Sequence, residues 1–314
     1  MIKLGISSCL LGNTVRYDGG HKQDHFLTDT LGRFVAWVPV CPEVECGLSV
    51  PREAMRLVGD PQTSLLLTIK TRIDHTHRMK MWVEEKLDEL SRENLSGYIF
   101  KSRSPSCGME RIKVYDPESG IPGKTGSGIF AAAFMSRFPL LPVEDEGRLH
   151  DPHLRENFIA RVFAYNRWQK HVASDTTISN LVAFHTRHKL LLMAHSPTGL
   201  RELGTIVSEA QNRKSGDSFC RYITLFMITL KQMATVKRHT NVLQHIMGYF
   251  KQNLSHDEKM ELLEIVDQYH QGLVPLIVPV TMLRHYVRKY DQAYLKKQFY
   301  LNPHPSELML LTHV

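Results

Sequence analysis

The hydrophobic pattern of the chain changes near residue 151, and this change constrains the fold more than any other feature of the sequence. Before it, short apolar runs at residues 2–6, 34–40 and 98–100 each lead into a loop of small or polar residues. Runs of this length and composition predict buried strands. After it, apolar residues recur at helical spacing over long stretches. We therefore expect two halves with different architectures.

Two helices are predicted between or after the strands of the first half. Apolar residues at i, i+3 and i+4 spacing predict an amphipathic helix over residues 79–95, which leads into the strand at 98–100. A second helix is expected over residues 129–138, with Ser127 as its N-cap after a glycine-rich turn at residues 123–126. Strand and helix alternation predicts an α/β domain with a mostly parallel, Rossmann-like sheet.

The helical spacing of apolar residues in the second half predicts an all-α helical domain. Ser255 and Glu258 have the spacing of a capping box, and Gly272 and Pro275 are expected to end the helix that this box starts. The long stretches with helical periodicity include residues 154–172, 218–254, 255–271 and 280–301.

The segment 139–151 is the expected boundary between the two domains. A chain of 314 residues is longer than most single hydrophobic cores grow, which favours two domains. We accordingly expect an α/β domain over residues 1–145 and a helical domain over residues 146–314.

The positive charge of the chain lies in its second half. Residues 151–314 carry 20 Lys and Arg against 13 Asp and Glu, whereas residues 1–150 carry 19 of each. Clustered cations neutralise phosphate, so this imbalance favours a polyanionic partner for the helical domain. A basic but merely solvated surface is the alternative that composition leaves open.

The cysteine content favours a reducing compartment. The five cysteines include no CxxC pair and do not have the spacing of a small disulfide framework. The N-terminal segment lacks the apolar length of a signal peptide, and no apolar run approaches the roughly 20 residues of a membrane span. We expect a cytoplasmic protein with no membrane partner, in which Cys220 is a packing residue. The oligomeric state stays open.

Three cysteines follow predicted strands. Cys9 follows the apolar run at residues 2–6, and Cys41 follows the run at residues 34–40. Cys107 lies a short loop beyond the run at residues 98–100. The carboxyl ends of parallel strands share one edge of a sheet, so the three thiols can converge. Thiolates suit iron–sulfur clusters or zinc, and three protein ligands would leave one metal position open. Ordinary buried cysteines are the alternative, although the neighbouring Pro, Gly and Ser residues favour loops.

Several motifs around these cysteines occur in a fixed order. They are Cys9-Leu10-Leu11-Gly12, Arg16-Tyr17-Asp18-Gly19-Gly20, Cys41-Pro42-Glu43, Gly47-Leu48, Pro51-Arg52 and Ser104-Pro105-Ser106-Cys107-Gly108. Together they resemble the thiouracil desulfidase family over roughly the first 140 residues. The resemblance implies a 4Fe-4S cluster held by Cys9, Cys41 and Cys107, with one iron not ligated by protein. Cys46 lies in the same loop as Cys41 and competes with it as the second ligand.

The helical half resembles the YbgA-type domain that is fused to this module in longer relatives. The combined architecture resembles the RudS-type desulfidases, which implies conversion of 4-thiouridine in tRNA to uridine with release of sulfide. Two alternatives stay open. One is desulfidation of free thiouracil or thionucleosides, and the other is a non-catalytic iron–sulfur sensor.

Hydrolytic removal of sulfur requires a group that moves protons between water and base, and Glu43 is the leading candidate. A first-turn acid that only stabilises a helix dipole is the alternative for this residue. Ser104 and Ser106 could hydrogen-bond the base or the cluster, or could only cap the turn around Pro105.

Further residues of the matching motifs are candidates for substrate binding. Asp18 and Arg52 could orient the substrate, and an internal ion pair between loops is the alternative for them. Lys101 and Arg103 are better suited to contact phosphate than to perform chemistry.

The C-terminal region mixes cationic and aromatic side chains, a composition that suits phosphate contacts and base stacking. Aromatic residues that form core while the cations form a solvated face are the alternative. The residues concerned are Arg284, His285, Tyr286, Arg288, Lys289, Tyr290, Tyr294, Lys296, Lys297, Phe299 and Tyr300.

Overall fold

A computed structural model describes residues 1–212, 217–308 and 310–312 of the chain. The Cα positions divide into two compact units, Met1–Asp151 and Pro152–Val314. The division falls at the end of the segment in which the sequence places the domain boundary.

The N-terminal unit is an α/β domain, as predicted. Its helices are α1 (Pro42–Glu45), α2 (Thr76–Arg92) and α3 (Ile129–Arg137). Its strands are β1 (Ile2–Ser7), β2 (Val35–Val40), β3 (Met55–Val58), β4 (Leu65–Thr68), β5 (Tyr98–Phe100), β6 (Ile112–Tyr115), β7 (Pro122–Gly126) and β8 (Val143–Asp145).

The first sheet is wholly parallel and has the strand order β2-β1-β5-β8. Its central strand β1 pairs with β2 from Ile2 opposite Val35 to Ser7 opposite Val40. Five of the six β1 residues are buried, all except Lys3, because both faces of a parallel sheet are covered. The three strands predicted from apolar runs are therefore confirmed, and their carboxyl ends share one edge.

The second sheet is mixed and was not predicted from the sequence. Its order is β4-β3-β6-β7, with β3 parallel to β6 and both outer pairings antiparallel. Strand β6 alternates between buried and exposed positions over only four residues, and so short a pattern does not distinguish a strand from a loop in the sequence.

Two local predictions in this region are wrong. Residues 123–126 form part of β7, not a glycine-rich turn, because they pair with β6 across the sheet. Gly128, not Ser127, is the N-cap residue of α3. The Ser127 hydroxyl instead donates to the carbonyl of Met109 at 2.7 Å.

An aromatic cluster forms the centre of the N-terminal core. Tyr98 and Phe100 of β5 contact Phe130 and Phe134 of α3, with ring centroids 4.6 to 6.2 Å apart. The four rings are fully buried, and each buried aromatic contributes roughly 1.5–3 kcal/mol of hydrophobic stabilisation. This packing fixes α3 against the strand that leads to the Cys107 loop.

The C-terminal unit is helical, as predicted. The capping box of Ser255 and Glu258 is confirmed, and Gly272 lies directly after that helix with a φ of 76°. Its helices are α4 (Pro152–Trp168), α5 (Ile178–His195), α6 (Pro197–Asn212), α7 (Asp217–Lys231), α8 (Val236–Gly248), α9 (His256–His270), α10 (Ile277–Lys289) and α11 (Ala293–Lys296).

The structure corrects three details of the helical half. The predicted stretch 218–254 is two helices, because Thr235 caps a new helix by accepting from the backbone N–H of Arg238. The stretch 280–301 is also interrupted, since α10 ends at Lys289. Cys220 is exposed, so the expectation that it packs in the core is wrong.

Candidate active site

Three cysteines line one cavity at the carboxyl edge of the parallel sheet. Cys9 lies in a short 3-10 turn directly after β1, Cys41 precedes α1 directly after β2, and Cys107 lies in the loop that follows β5. The cavity has a volume of about 480 Å³. The sheet topology explains this convergence, because β2, β1 and β5 are neighbours with parallel directions.

Cys46 lies outside the described lining of this cavity. Its side chain is buried in the hydrophobic core with Leu57, Met79 and Val83. Its thiol donates to the backbone carbonyl of Glu43 at 3.3 Å, within the same helical turn. Of the two cysteines that compete at sequence level, the structure therefore brings Cys41 to the cavity.

The cavity thiols are strongly desolvated. Burial raises the pKa of Cys9 to about 11, with the Lys101 charge acting in the opposite direction. Burial also raises the pKa of Cys41, and it raises that of Cys107 well above the ordinary value, helped by the negative charge of Glu43. Such thiols are protonated at neutral pH unless a cationic centre binds them, and binding then releases protons.

The donor set suits a soft metal group. Cysteine thiolates are the usual protein ligands of iron–sulfur clusters, and the cavity leaves space between the three thiols. Within residues 1–212, 217–308 and 310–312, no group of three or more His, Cys, Asp or Glu side chains converges on a single-ion position.

A carboxylate is held beside the thiols by an ion pair. Arg52 donates through Nε to Glu43 Oε2 at 2.9 Å, and its Nη2 contacts the same oxygen. Only 14% of the Glu43 side chain and 7% of the Arg52 side chain are exposed. Arg52 also donates to the backbone carbonyls of Val15 and Ser49, at 3.0 and 3.2 Å. It therefore joins three loops around the cavity and fixes one oxygen of Glu43.

The second oxygen of Glu43 faces the cysteine loop. Ser106 is fully buried and donates through its hydroxyl to Glu43 Oε1 at 2.7 Å. The hydroxyls of Ser104 and Ser106 are 3.0 Å apart, and the Ser106 hydroxyl is 3.9 Å from the Cys107 thiol. Glu43, the two serines and Cys107 thus form one connected polar group, although Glu43 lies far from the others in the sequence.

Ser104 also shapes the loop. Its Oγ accepts from the backbone N–H groups of Ser106 and Cys107, at 3.3 and 3.1 Å. The first turn of α3 also holds this loop, because Phe130 donates its backbone N–H to the Ser106 carbonyl at 3.0 Å. A Cβ at Gly128 would lie 2.5 Å from the carbonyl carbon and oxygen of Ser106. The loop therefore sits closer to α3 than any side chain at Gly128 would allow.

A second acid, which the sequence analysis missed, holds Lys101 in the cavity wall. Glu146 accepts from Lys101 Nζ and from the backbone and hydroxyl of Ser102, the latter two at 2.6 and 2.7 Å. Arg103 is exposed at the cavity rim with a φ of 59°. Glu146 directly follows β8, so recognising residues 143–145 as a parallel strand would have placed it at this edge.

Asp18 lies outside the described lining of the thiol cavity and instead holds the side chain of Arg16. It accepts two hydrogen bonds from Arg16, both at 3.2 Å, and one from the backbone N–H of Gly20 at 3.1 Å. Arg16 does line the cavity, together with Tyr17 and Lys22, and the sequence analysis assigned these three no role. The motif containing Asp18 thus places Arg16 and Tyr17 at the rim.

The aromatic residues of the C-terminal region are largely core. Tyr286 and Tyr300 are buried, and the Tyr300 hydroxyl lies 3.0 Å from Nδ1 of His239. Lys289 forms an ion pair with Glu258 at 2.8 Å. The interleaved pattern in the sequence thus reflects mainly a helix with a buried aromatic face and a solvated cationic face.

Two family profiles match the chain. The family described as 2-thiouracil desulfurase matches residues 4–146, and a family described as a protein of unknown function, DUF1722, matches residues 189–305. None of the helices in the described residues combines the length and apolar character needed to cross a bilayer.

Two curated relatives and one solved structure are similar to parts of the chain. The uncharacterized protein YbgA of Escherichia coli (strain K12) is 30% identical over 156 residues, which cover 49% of this chain and 92% of the relative. The uncharacterized protein YbbK of Bacillus subtilis (strain 168) is 31% identical over 132 residues, which cover 40% of this chain and 85% of the relative. The structure of a [4Fe-4S]-dependent thiouracil desulfidase, TudS, is 27% identical, covers 48% of this chain and 95% of its own, and superposes with a TM-score of 0.38.

Proposed function

Because the chain belongs to the 2-thiouracil desulfurase family through residues 4–146 and to the DUF1722 family through residues 189–305, we propose that it is an iron–sulfur-dependent desulfidase that converts 4-thiouridine in tRNA to uridine. The observation that supports this proposal most directly is the single cavity shared by Cys9, Cys41 and Cys107 beside the part-buried Glu43. We place the enzyme in the cytoplasm, where a reducing environment preserves the thiols.

Cys9, Cys41 and Cys107 would hold a 4Fe-4S cluster, leaving one iron without a protein ligand. A cluster several ångströms across separates its ligands more widely than a single ion does, so three thiols around a cavity of this size suit it. When bound, the cluster supplies a Lewis-acidic site for a soft thiocarbonyl sulfur.

The reaction exchanges sulfur for oxygen at one ring carbon. Water adds to the carbon of the C=S group, the C–S bond breaks, and a carbonyl and hydrogen sulfide are formed. The exchange is hydrolytic, so no external oxidant or reductant enters the balance. Two protons must pass from the water to the departing sulfur, which requires a group that accepts and then donates a proton.

Glu43 has the surroundings that such a group needs. Arg52 fixes Oε2, so the carboxylate cannot rotate freely, and Ser106 donates to Oε1. The Ser106 hydroxyl can pass a proton between Glu43 and the position next to Cys107, because it lies within reach of both. Glu43 is therefore the proposed general base and acid, Ser106 its proton relay, and Ser104 the residue that orients Ser106.

The tRNA part of the proposal rests on charge. The excess of Lys and Arg lies in the helical half, and cationic side chains line the rim of the thiol cavity at Arg16, Lys22 and Arg103. A polynucleotide substrate would contact both surfaces, whereas free thiouracil needs neither. Sulfide release from 4-thiouridine-containing tRNA that far exceeds release from free thiouracil at equal concentration is the expected result. Equal rates on the two substrates would contradict this part of the proposal.

Single cysteine substitutions test the cluster assignment. Anaerobically reconstituted Cys9→Ser, Cys41→Ser and Cys107→Ser variants should each lose most bound iron, the visible absorption of the cluster, and sulfide release. Cys46→Ala should retain all three, because its thiol bonds only to a carbonyl of its own helical turn among the described residues. Cys220→Ser is a surface control. A colourless Cys46→Ala protein alongside a coloured Cys41→Ser protein would overturn the assignment.

A further inference from the structure

A second polar cavity lies within the helical unit. It has a volume of about 310 Å³ and lies between the π-helical turn Gln169–Ala173, the first turns of α5, and Phe299. A π-helical turn widens the backbone, and such turns are frequent at functional sites. Here it carries Lys170 and His171 to the cavity wall.

The cations of this cavity are available for a ligand. Lys170 and Arg187 are exposed, and in the part of the chain that the structure describes neither is paired with a carboxylate. Arg167 lies outside the described lining, with its guanidinium 3.9 Å from the centre of the ring of the lining residue Phe299, and donates to the backbone carbonyl of Pro303 rather than to an acid. Among the described lining residues Asp175 is the one acid. The cavity is therefore net positive.

The same cavity presents hydrogen-bond acceptors. Asn180 Nδ2 donates to both the backbone carbonyl and Oδ2 of Asp175, at 3.0 and 2.9 Å. Within the described residues this leaves Asp175 Oδ1 and Asn180 Oδ1 without a donor. Both are therefore able to accept from hydroxyl groups of a ligand.

We propose that this cavity binds one ribonucleotide unit of an RNA chain, with the phosphate at Lys170 and Arg187 and the ribose hydroxyl at Asp175 and Asn180. Unpaired cations beside an apolar ring suit a phosphate attached to a flat apolar group. The acceptor pair suits the 2′-hydroxyl, the group by which a protein distinguishes RNA from DNA. This inference rests on the proposed function and assigns its RNA partner a specific contact on the helical unit.

Charge reversal at the cavity tests the proposal in the cluster-loaded enzyme. Binding of tRNA is measured by fluorescence anisotropy over a range of salt concentrations for the wild type, for K170E/R187E, and for K231E/K251E. The last variant changes the net charge equally at two exposed lysines outside the described lining. We expect K170E/R187E to raise the Kd at least tenfold and to reduce the salt slope by about one to two, and the control to change the Kd less than threefold.

A second variant tests the ribose contact. Asp175→Ala should reduce the preference for a single-stranded RNA oligonucleotide over the DNA oligonucleotide of the same sequence, with little change in the salt slope. Equal weakening by the two charge-reversal variants, or an unchanged RNA preference in Asp175→Ala, would overturn the assignment.

The two proposals fail separately. Sulfide release from free 4-thiouridine by K170E/R187E should equal that of the wild type. If the wild type releases sulfide while K170E/R187E binds tRNA normally, the cavity assignment is wrong and the desulfidase remains. A wild type that releases no sulfide from any thiolated substrate refutes the proposed function instead.

Discussion

The two units of the chain treat their buried polar groups differently. In the N-terminal unit, part-buried charged side chains of different loops are paired with each other, nine residues apart in Glu43 with Arg52 and 45 residues apart in Lys101 with Glu146. Glu43, Arg52 and Lys101 line the thiol cavity, and Glu146 holds Lys101 there. Removing one partner of such a pair leaves a buried charge uncompensated, so each pair fixes the loops that carry it.

In the helical unit, buried imidazoles take this place. His185 contacts the Tyr222 hydroxyl at 3.1 Å, and three others are held by the backbone. His188 and His195 contact the carbonyls of Phe184 and Gln232, both at 2.7 Å, and His304 contacts the carbonyl of Pro305 at 3.1 Å. An imidazole that donates to a carbonyl through one nitrogen can stay neutral in a protein interior. The contrast teaches that paired charges shape the reactive site, whereas neutral imidazoles support a scaffold.

The largest predicted effect is that of acid, which should destabilise the helical unit before the N-terminal unit. Burial lowers the pKa values of His185, His195 and His304 to about 4. Above pH 6.5 both folded and unfolded chains are neutral at these rings, and their full contribution to stability is present. As the pH falls from 6.5 towards 4, the unfolded chain binds protons that the folded chain does not, so stability falls by up to about 3 kcal/mol for each ring.

One buried acid in the same unit has the opposite dependence. Burial raises the pKa of Glu156 to about 7, so its contribution is present below pH 4.5 and is lost as the pH rises towards 7. Three rings outweigh one carboxyl, and thermal denaturation followed by circular dichroism should show the earliest transition moving to lower temperature between pH 7 and 4.5. The shift should be smaller in His195→Gln and unchanged in the exposed control His256→Gln. A transition that does not move over this range would contradict the prediction.

Removing the proton-transfer group should come next in size. Glu43→Gln keeps the shape of the side chain, and its one oxygen can still accept from Arg52 while its amide NH2 can donate to the Ser106 hydroxyl, but it cannot accept a proton. We expect single-turnover sulfide release to fall at least a hundredfold, about 3 kcal/mol in the barrier, while iron content and absorption stay unchanged. Glu89→Gln on α2, an exposed acid paired with Lys86, is the matched control. Activity within fivefold of the wild type would remove Glu43 from its proposed role.

The sequence was sufficient to predict the position of a site residue where that residue directly follows a recognisable strand. Cys9 and Cys41 directly follow apolar runs, so a parallel sheet places both at one edge without knowledge of any side-chain contact. The hydrogen bond between Glu43 and Ser106 is different, because it joins residues whose separation is set by how two loops pack. Glu146 was missed because three acids in a row look like a solvated linker, although Glu144 and Asp145 belong to a strand of only three residues that ends directly before Glu146.

The helical unit was ambiguous for a related reason. Tyr286 and Tyr300 are spaced like a stacking surface in the sequence, but both are buried in the structure. Helical periodicity shows which residues share a face, and it does not show whether that face meets solvent or another helix. Lys170 lies on the π-helical turn and Arg187 lies on α5. The cavity that they line depends on how these two elements pack, so the sequence alone does not predict it.

The smallest predicted effect comes from the close contact at Gly128. This contact tests whether packing, in addition to paired charges, holds a cysteine loop of the N-terminal unit. The φ and ψ of Gly128, −62° and 150°, are allowed for alanine, so Gly128→Ala adds no backbone strain. Its Cβ would instead press on the Ser106 carbonyl and move the loop that carries Cys107. We expect a loss of about 1–2 kcal/mol in unfolding free energy and a lower iron content after reconstitution. Gly123→Ala, where a Cβ meets nothing within 4 Å, should leave both unchanged, so equal iron loading of the two variants would show that the Cys107 loop is not held by its packing on α3.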